Sequence, residues 1–378
     1  MAFGTAPAQD TPRAGVTTFK VAHAAGGLVL DLDLQPSNDL LGWGARVADA
    51  RTGLGRSRIG FEDRVADGGL DWTRALSAVE GLCGSCSQAN TLAFCQAVEA
   101  ASRMIVPPRA AYLRMVLVET ERIASHLMNA GLMLDALGLH DRAAIMRDLR
   151  ERMVHATAEW TGARVHHTMI TFGGLTRNMD EIAGRNLTLA ARHVERALRG
   201  QVSALINSRE VVRRLAGLGT ITAPEALVGS LRGPVARASG LAVDLRATWP
   251  TGAYEDEAVT IVAQRNGDAF SRLVVRLLEC LESFRVIEQA LDDLPSGPIR
   301  VRAGMDVREG TGISRVEGPR GEVFCWIQGT HDGLRAIHLS TGSHPTLGIV
   351  PGLLRGTRLD DVDLLVLSLD ICLACAER

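Results

Sequence analysis

The sequence predicts an α+β protein with a predominantly α-helical core, a bundle of long helices, and small β-sheets near the N-terminus and in the C-terminal third. Three patterns carry this prediction. Apolar residues recur at helical spacing through the middle of the chain, an alternating apolar and polar segment precedes them, and short apolar segments separated by glycines follow them. The 378-residue chain is 46% hydrophobic and 22% charged, which suits a protein that buries a large core.

The N-terminal segment, residues 1–69, carries the first predicted sheet. Leucines from Leu28 to Leu34 alternate with Val29, Asp31 and Asp33 after a Gly-Gly pair. This period of two is typical of a strand with one buried face, entered from a glycine turn. We therefore expect a short sheet before the helical core.

Residues 70–294 form the predicted helical core. DWTRALSAVEGL and NTLAFCQAVEAASRM are helical in pattern up to Pro107-Pro108, which end one helix and start the next. The stretch from Pro108 to Gly138 predicts a long buried helix, with Leu113, Leu117, Ile123 and Leu127 near helical spacing. Further helices are predicted over residues 140–164, 177–218 and 256–294.

Residues 295–378 predict a β-rich segment that returns to the core. GPIRVRAGMDV, GISRVEG, GEVFCWIQG and GLRAIHLS are short strand patterns joined by glycine turns, and the apolar stretch DDVDLLVLSLDICLACAER follows. We expect the three segments to form one merged domain.

Charge and hydropathy exclude several classes of function. The net charge of −2 gives no electrostatic reason to bind nucleic acid, and no nucleic-acid partner is expected. The chain has no run of 18 apolar residues and its start lacks the pattern of a secretory signal. We therefore expect a cytoplasmic protein or a peripheral subunit, in which the seven cysteines are reduced thiols.

Two cysteine pairs with C-x-x-C spacing are the main functional signal: Cys83 with Cys86, and Cys372 with Cys375. Two intervening residues let both sulfurs of a pair face one centre, so each pair predicts a bidentate metal clamp. The second pair begins 286 positions after the first ends. Structural zinc sites usually join ligands only tens of residues apart, so zinc is the less favoured alternative.

Five segments, in order along the chain, give the sequence its family resemblance. They are CGSC with the helix Ala93 to Glu99, then VPPRAAYLRMVLVETERIASHL, TGARVHHTMITFGGL, ISRVEGPRGEVF and SLDICLACAER. In this order they resemble the large subunit of nickel-iron hydrogenases, in the energy-converting branch related to the 49-kDa-type subunit of respiratory complex I. The resemblance implies the hydrogenase large-subunit fold.

The resemblance implies a nickel-iron centre with carbon monoxide and cyanide on the iron. Cys83 and Cys372 would be terminal nickel ligands, and Cys86 and Cys375 would bridge nickel and iron. Cys372 would be the catalytic residue, holding a proton while dihydrogen is split heterolytically or protons are reduced. Soft thiolates suit both metals.

The resemblance also implies partners. Electrons would pass to an iron-sulfur small subunit, because this chain carries no cysteine cluster for a relay. Membrane subunits of an energy-converting complex and maturation proteins are further expected partners, with attachment to the cytoplasmic face of the inner membrane through other subunits. Relatives lose a C-terminal extension three positions after the last cysteine. Arg378 holds that position, so we expect a mature form or a gene without the extension.

The chain departs from the family pattern beside the clamps. Gly81 and Asn90 stand where an arginine and a histidine are usual, and Leu339 to Gly342 replace an arginine-x-proline-serine element. Such groups orient ligands and tune the metal. The N-terminal glutamate element of the proton path has no good counterpart in WGARVADARTGLGR. Asp49, Glu62, Asp63 and Glu80 are candidates for a rerouted path, although each is expected to be a solvated or ion-paired surface residue.

Two other functions stay open. One is a non-catalytic or quinone-facing subunit of a complex I-like, NAD- and quinone-linked assembly, in which a histidine and a tyrosine would meet the quinone. His23 lies in the right region, but Tyr112 and Tyr254 do not. That relative lacks the cysteine clamps. The other is a metal-binding scaffold or sensor derived from a hydrogenase.

The remaining conspicuous residues are expected to be structural. Lone cysteines on apolar segments are usually core residues, and lone histidines are seldom ligands. Glu317 and Arg320 are expected to form an ion pair or turn, and Asp370 to support the second clamp. The cysteines and histidines of this structural group are Cys95, Cys280, Cys325, His126, His166 and His167.

Overall fold

A small antiparallel sheet precedes the helices in the computed structural model, which describes residues 16–21, 28–36, 44–53, 60–301 and 309–377. Its strands are β1 (Val16–Val21), β2 (Leu28–Pro36) and β3 (Ala45–Gly53), with β2 in the middle. Leu28, Leu30 and Leu32 are buried, as their alternation predicts. His23 lies outside the described residues.

Long helices then build the core around the predicted proline boundary. Leu113, Leu117, Ile123 and Leu127 are fully buried in the longest helix, which begins at Pro108 because proline fits a first helical turn. The helices in the first half of the core are α1 (Phe61–Gly68), α2 (Trp72–Gly81), α3 (Ser87–Ser102), α4 (Pro108–Ala136), α5 (His140–Thr161), α6 (Glu181–Ile206) and α7 (Arg209–Leu215). A short hairpin, β4 (Ile170–Thr171) and β5 (Gly174–Leu175), follows α5.

The second half of the core carries one more long helix and ends beside a second sheet. Its helices are α8 (Ala223–Val228), α9 (Gly233–Ala238), α10 (Leu245–Thr248), α11 (Ala269–Asp292), α12 (Ser343–Leu354), α13 (Val362–Leu369) and α14 (Leu373–Ala376). The sheet is β6 (Gly310–Gly318), β7 (Gly321–Thr330) and β8 (Gly333–Thr341), antiparallel with β7 central. Helix and strand placement confirms the predicted α+β class. The division into three segments stays a prediction.

Several predicted boundaries are wrong. The helix predicted over residues 177–218 is two helices, because the Ser208 side chain accepts the Val211 amide and starts α7. The helix predicted over 256–294 begins only at Ala269, after Gly267 at φ +66° and the capping residue Asp268. Helix α1 lies at the end of the N-terminal segment, which the sequence predicts to contain β-strands. The strand predicted in GPIRVRAGMDV falls mostly outside the described residues, and its Arg300 forms one bridge to Gly174.

A set of buried charged side chains, here called the buried ion network, ties α4, α9, α10, α11 and β6 together. Arg237 bonds Glu279 at 2.7 Å and Glu317 at 2.8 Å, while Arg246 bonds Glu119 at 2.9 Å. Its members are Glu119, Arg122, Arg237, Asp244, Arg246, Glu279 and Glu317, joined by His126, Tyr254 and Ser283. Glu317 is thus the ion-pair residue that the sequence predicts.

None of the helices within the described ranges is both long enough and apolar enough to cross a membrane.

Candidate metal centre

The two C-x-x-C pairs meet inside the protein. The four sulfurs of Cys83, Cys86, Cys372 and Cys375 all lie within 4.8 Å of one another, and Cys83 Sγ is 3.3 Å from Cys372 Sγ. All four residues are at most 4% exposed. Four sulfur atoms at these separations can share one metal site, so the structure brings together every metal ligand that the sequence predicts.

The start of helix α3 positions the first pair. Cys86 occupies the N-cap of α3, and the short turn from α2 places Cys83 beside it. Ser85 donates its backbone amide to Cys83 Sγ at 3.3 Å. Glu121 of α4 accepts the amides of Gln88 at 2.7 Å and Ala89 at 3.0 Å. A carboxyl group from another helix therefore fixes the first turn that carries Cys86.

A left-handed residue positions the second pair. Helix α13 ends at Asp370, whose φ of 54° turns the chain sharply toward the cluster. Cys372 then caps the short helix α14, and its backbone amide donates to Ser343 Oγ at 3.0 Å. The C-terminal residues are thereby held against the junction of β8 and α12.

Arg320, which the sequence predicts to be an ion-pair or turn residue, also contacts the cluster. It sits in the tight hairpin between β6 and β7 and donates to Cys86 Sγ at 2.9 Å. The same guanidinium donates to the Asp370 backbone oxygen and carboxylate, both at 2.9 Å. Gly342 lets this hairpin pack closely, because a Cβ there would lie 2.0 Å from the Arg320 oxygen. Arg320 is therefore a contact of the cluster as well as a turn residue, and Asp370 holds its guanidinium. That Asp370 supports the second pair stays a prediction.

The close packing of the four thiols shifts the pKa values of Cys83 and Cys86. Hydrogen bonds from the Cys372, Cys375 and Cys86 thiols hold the pKa of Cys83 well below its ordinary value. The same crowding, first through Cys372, raises the pKa of Cys86 well above it. One thiolate is thus readily formed, whereas four thiolates at this spacing need a cation. The Arg320 guanidinium supplies a single positive charge, which does not balance four thiolates. The buried set of four sulfurs therefore fits a soft metal ion or metal cluster.

The positions that depart from the family pattern lie around the cluster. Asn90 donates from Nδ2 to Cys375 Sγ at 3.6 Å, as an asparagine can. Gly81 borders open space, because a Cβ added there would have no other atom within 4 Å. In the Leu339 to Gly342 element, the Leu339 amide donates to Glu62 at 3.0 Å.

The four carboxylates considered for a rerouted proton path lie in different parts of the structure. Asp49 pairs with Arg355 at 3.0 Å on the surface, and the Arg355 guanidinium lowers its pKa. Asp63 is exposed. Glu80 is not the surface residue that we expected: it is 8% exposed and accepts the Thr168 amide at 2.6 Å. Its position at the end of α2, where the chain turns into the first pair, buries it.

The structural group behaves largely as expected. Cys95, Cys280 and Cys325 are buried away from the four-sulfur cluster. His126 bonds Glu279 at 2.9 Å, and burial lowers the pKa of its ring to about 4. His166 bonds the Glu80 carbonyl through Nδ1 at 3.0 Å in the loop after α5.

Two C-x-x-C pairs that meet inside a helical core define a candidate metal centre with four cysteine sulfurs. Residues 137–305 and 299–378 match the family described as respiratory-chain NADH dehydrogenase, 49 Kd subunit. The chain therefore belongs to the family that holds this subunit and the large subunits of membrane-bound hydrogenases.

Three relatives illustrate the range of this family. The carbon monoxide-induced hydrogenase of Rhodospirillum rubrum is 30% identical over 79% of this chain and 83% of its own length. The membrane-bound hydrogenase subunit alpha of Pyrococcus furiosus is 28% identical over 82% of this chain and 76% of its own. An NADH-quinone oxidoreductase subunit of Dehalococcoides mccartyi is 34% identical over 64% of this chain and 66% of its own.

Proposed function

We propose that this chain is the catalytic large subunit of a nickel-iron hydrogenase-like complex that splits dihydrogen into two protons and two electrons, or runs the reverse reaction. The convergence of four cysteine sulfurs within 4.8 Å, in a chain related to named hydrogenases, carries the proposal. When bound, the nickel-iron group with its carbon monoxide and cyanide ligands supplies the redox chemistry. The protein supplies four thiolates and a site closed to bulk water.

Hydrogen bonds reach the cluster from groups other than cysteine, and Cys83 accepts the Ser85 backbone amide at 3.3 Å. Arg320 donates to Cys86 and Asn90 donates to Cys375, the two positions proposed to bridge the metals. Cys83 and Cys372 are the proposed terminal ligands, and Cys372 is the sulfur proposed to hold the proton.

The proposed partners follow from the burial of the cluster. Electrons need an iron-sulfur small subunit close to the first and second pairs, since the chain itself has no further cysteine cluster among its described residues. The relatives are named as subunits, which supports a multisubunit assembly. Through such partners the chain would lie at the cytoplasmic face of the inner membrane, and maturation proteins would install the metals.

Metal analysis and infrared spectroscopy of the complex, purified from its native host, test the proposal. We expect nickel and iron near one each per chain, together with bands of metal-bound carbon monoxide and cyanide. Cys375→Ala should lose the metals and bands, whereas the matched control Cys280→Ala, a buried cysteine outside the cluster, should keep them. Zinc in place of nickel and iron would contradict the proposal.

A second candidate is a complex I-like subunit without hydrogen chemistry, favoured by the matched family and by the identity to an NADH-quinone oxidoreductase subunit. The four clamped cysteines weigh against it. A purified complex that reduces quinone but holds no nickel would favour it. A complex that holds nickel yet neither takes up nor evolves hydrogen would instead favour the metal-binding scaffold or sensor.

A further inference from the structure

A cavity of about 250 Å³ lies beside the first cysteine pair. It is bounded by the start of α3, the middle of α4, the second half of α5 and the loop after α5. Gly84 and Ser85, between the first two cysteines, line the cavity together with Val165 and His166, and of these Gly84, Val165 and His166 are exposed. The cavity therefore connects the protein surface to the residues between Cys83 and Cys86.

Two buried side chains in the cavity wall lack a hydrogen-bond partner within the described structure. Gln88 is 1% exposed and neither its amide oxygen nor its amide nitrogen is paired, and Ser125 is 4% exposed with an unpaired hydroxyl. Buried polar groups in native proteins are nearly always paired with protein or with water. A cavity of this volume with unpaired polar groups in its wall has room and hydrogen-bonding groups for ordered water.

Glu121 is the carboxyl group in the same wall. Its two oxygens accept the Gln88 and Ala89 amides, so it is fixed to the helix turn that follows Cys86. Burial raises the pKa of Glu121 to about 7, and the two amides oppose that rise. The carboxyl group can therefore take up and release a proton near neutral pH.

The Ser85 hydroxyl group links the cavity to the cysteine sulfurs. Ser85 Oγ is 3.3 Å from Cys83 Sγ, and Cys83 Sγ is 3.3 Å from Cys372 Sγ. The cluster itself is buried, so protons exchanged there need a route through the protein. By contrast Asp49 pairs with Arg355, and Glu62 accepts the Leu339 amide.

We propose that this cavity is a water-filled proton passage between solvent and the cysteine cluster, with Glu121 as its proton-carrying carboxyl group and Gln88 and Ser125 as its water-holding residues. Arg150, Arg164, His166 and His167 also line the cavity. The inference rests on the proposed function. Each dihydrogen that is split leaves two electrons for the partner subunit and two protons. The protons leave by way of the Ser85 hydroxyl and the cavity water to the Glu121 carboxylate, which releases them to solvent. Hydrogen evolution uses the same groups in reverse.

Glu121→Gln in the complete complex tests the proton-carrying carboxyl group. We expect hydrogen turnover to fall at least about a hundredfold, the lower end of the usual contribution of an acid-base group, while nickel and iron contents stay unchanged. The solvent isotope effect, the rate in H₂O divided by that in D₂O, should rise because proton transfer becomes limiting. Glu181→Gln, at an exposed glutamate of α6, is the matched control and should change neither quantity.

Ala124→Leu tests the water in the passage without removing a hydrogen-bonding group. Ala124 lines the cavity, so the larger side chain occupies the space of the water while Glu121 remains. We expect the same loss of turnover and the same larger isotope effect, again with full metal content. If both variants keep their metals and at least half of wild-type turnover, the passage is wrong and the proposed function stands. If Ala124→Leu loses activity only in proportion to lost metal, the cavity serves assembly and the passage is again wrong.

An infrared readout does not depend on turnover. Wild-type protein at neutral pH should show a protonated carboxyl band that is absent in Glu121→Gln and shifts when H₂O is replaced by D₂O. This shift is expected even in protein without metal, so it separates failure of the passage from failure of the proposed function. A band that Glu121→Gln removes but that D₂O leaves in place for hours would overturn the passage.

Discussion

The cysteine cluster and the buried ion network are two polar sites in one core. They differ in how their buried charges are balanced. In the network, guanidinium groups face carboxylates, as where Arg237 lies between Glu279 and Glu317. In the cluster, four sulfurs face one another and Arg320 is the guanidinium that touches them. Like groups held together need a cation from outside the chain, whereas opposite groups do not.

This difference separates what holds the fold from what the site does. The network links α4, α9, α10, α11 and β6 without any bound group, so its loss should unfold the protein. The cluster has its ligands in place but is electrostatically incomplete as a set of thiolates. Its loss should remove the metal and leave the fold. The following predictions test this division, beginning with the largest effect.

Loss of one cluster sulfur should abolish function without unfolding the chain. We expect Cys372→Ala to lower metal content and hydrogen turnover at least about a hundredfold, because the sulfur is both a ligand and the proposed proton carrier. The free energy of unfolding of the metal-free protein, measured in urea, should change by under about 2 kcal/mol. Unchanged hydrogen turnover in Cys372→Ala would refute its assigned role.

Loss of one arginine of the buried ion network should have the opposite effect and destabilise the fold. Arg237→Met leaves Glu279 and Glu317 without their shared guanidinium, and removing one partner of a buried pair costs about 3–5 kcal/mol. Urea unfolding of metal-free protein measures this cost. The control is Arg192→Met, which breaks an exposed pair with Glu288 and should cost under about 1 kcal/mol. Equal costs for the two variants would show that the network does not hold the fold.

The network should also make stability depend on pH through His126. Burial lowers the pKa of its ring to about 4, against about 6.5 in an unfolded chain. Both states are neutral above pH 6.5. As the pH falls from 6.5 toward 4 the unfolded chain binds the proton first, so stability is lost on acidification.

His126→Gln isolates this contribution. We expect the difference in unfolding free energy between pH 7 and pH 5 to shrink by about 2 kcal/mol relative to wild type. His331→Gln, at an exposed histidine, should leave that difference unchanged. A wild-type pH dependence that survives in His126→Gln would assign the effect to other groups.

The smallest effect is expected at a weak hydrogen bond to the cluster. Asn90→Ala removes the donor that lies 3.6 Å from Cys375 Sγ, a long contact even for sulfur. Metal content should stay within about twofold of wild type, and stability should fall by about 1 kcal/mol. Loss of the metals in this variant would mean that the asparagine, and not the cysteines alone, determines binding.

The regular part of the fold could be predicted because local signals agreed with packing. Pro107-Pro108 marks the start of α4, and alternate leucines mark the buried face of β2. The start of α11 could not be predicted from apolar spacing, because Gly267 packs against the Ile221 backbone and Asp268 caps the helix. Gly-Asp before an apolar run was the available signal.

The candidate site was predictable in its ligands but not in its surroundings. The C-x-x-C spacing is local, so it identifies the cysteines wherever the rest of the chain folds. Arg320 reaches Cys86 only because a hairpin far along the chain packs there, and Glu121 reaches α3 from another helix. Such contacts join residues 234 and 33 positions apart, which no local pattern encodes.

The distance along the chain between the two cysteine pairs means that a metal bound at the proposed site would also act as a cross-link. A metal bound to both pairs joins Cys83 to Cys372, 289 residues apart, and so closes nearly the whole described chain into a ring. If it acts as a covalent cross-link does, the lost freedom of the unfolded chain is worth about 6 kcal/mol. Metal insertion would then lock the fold, so a chelator that strips the site should release the segment carrying α14 first.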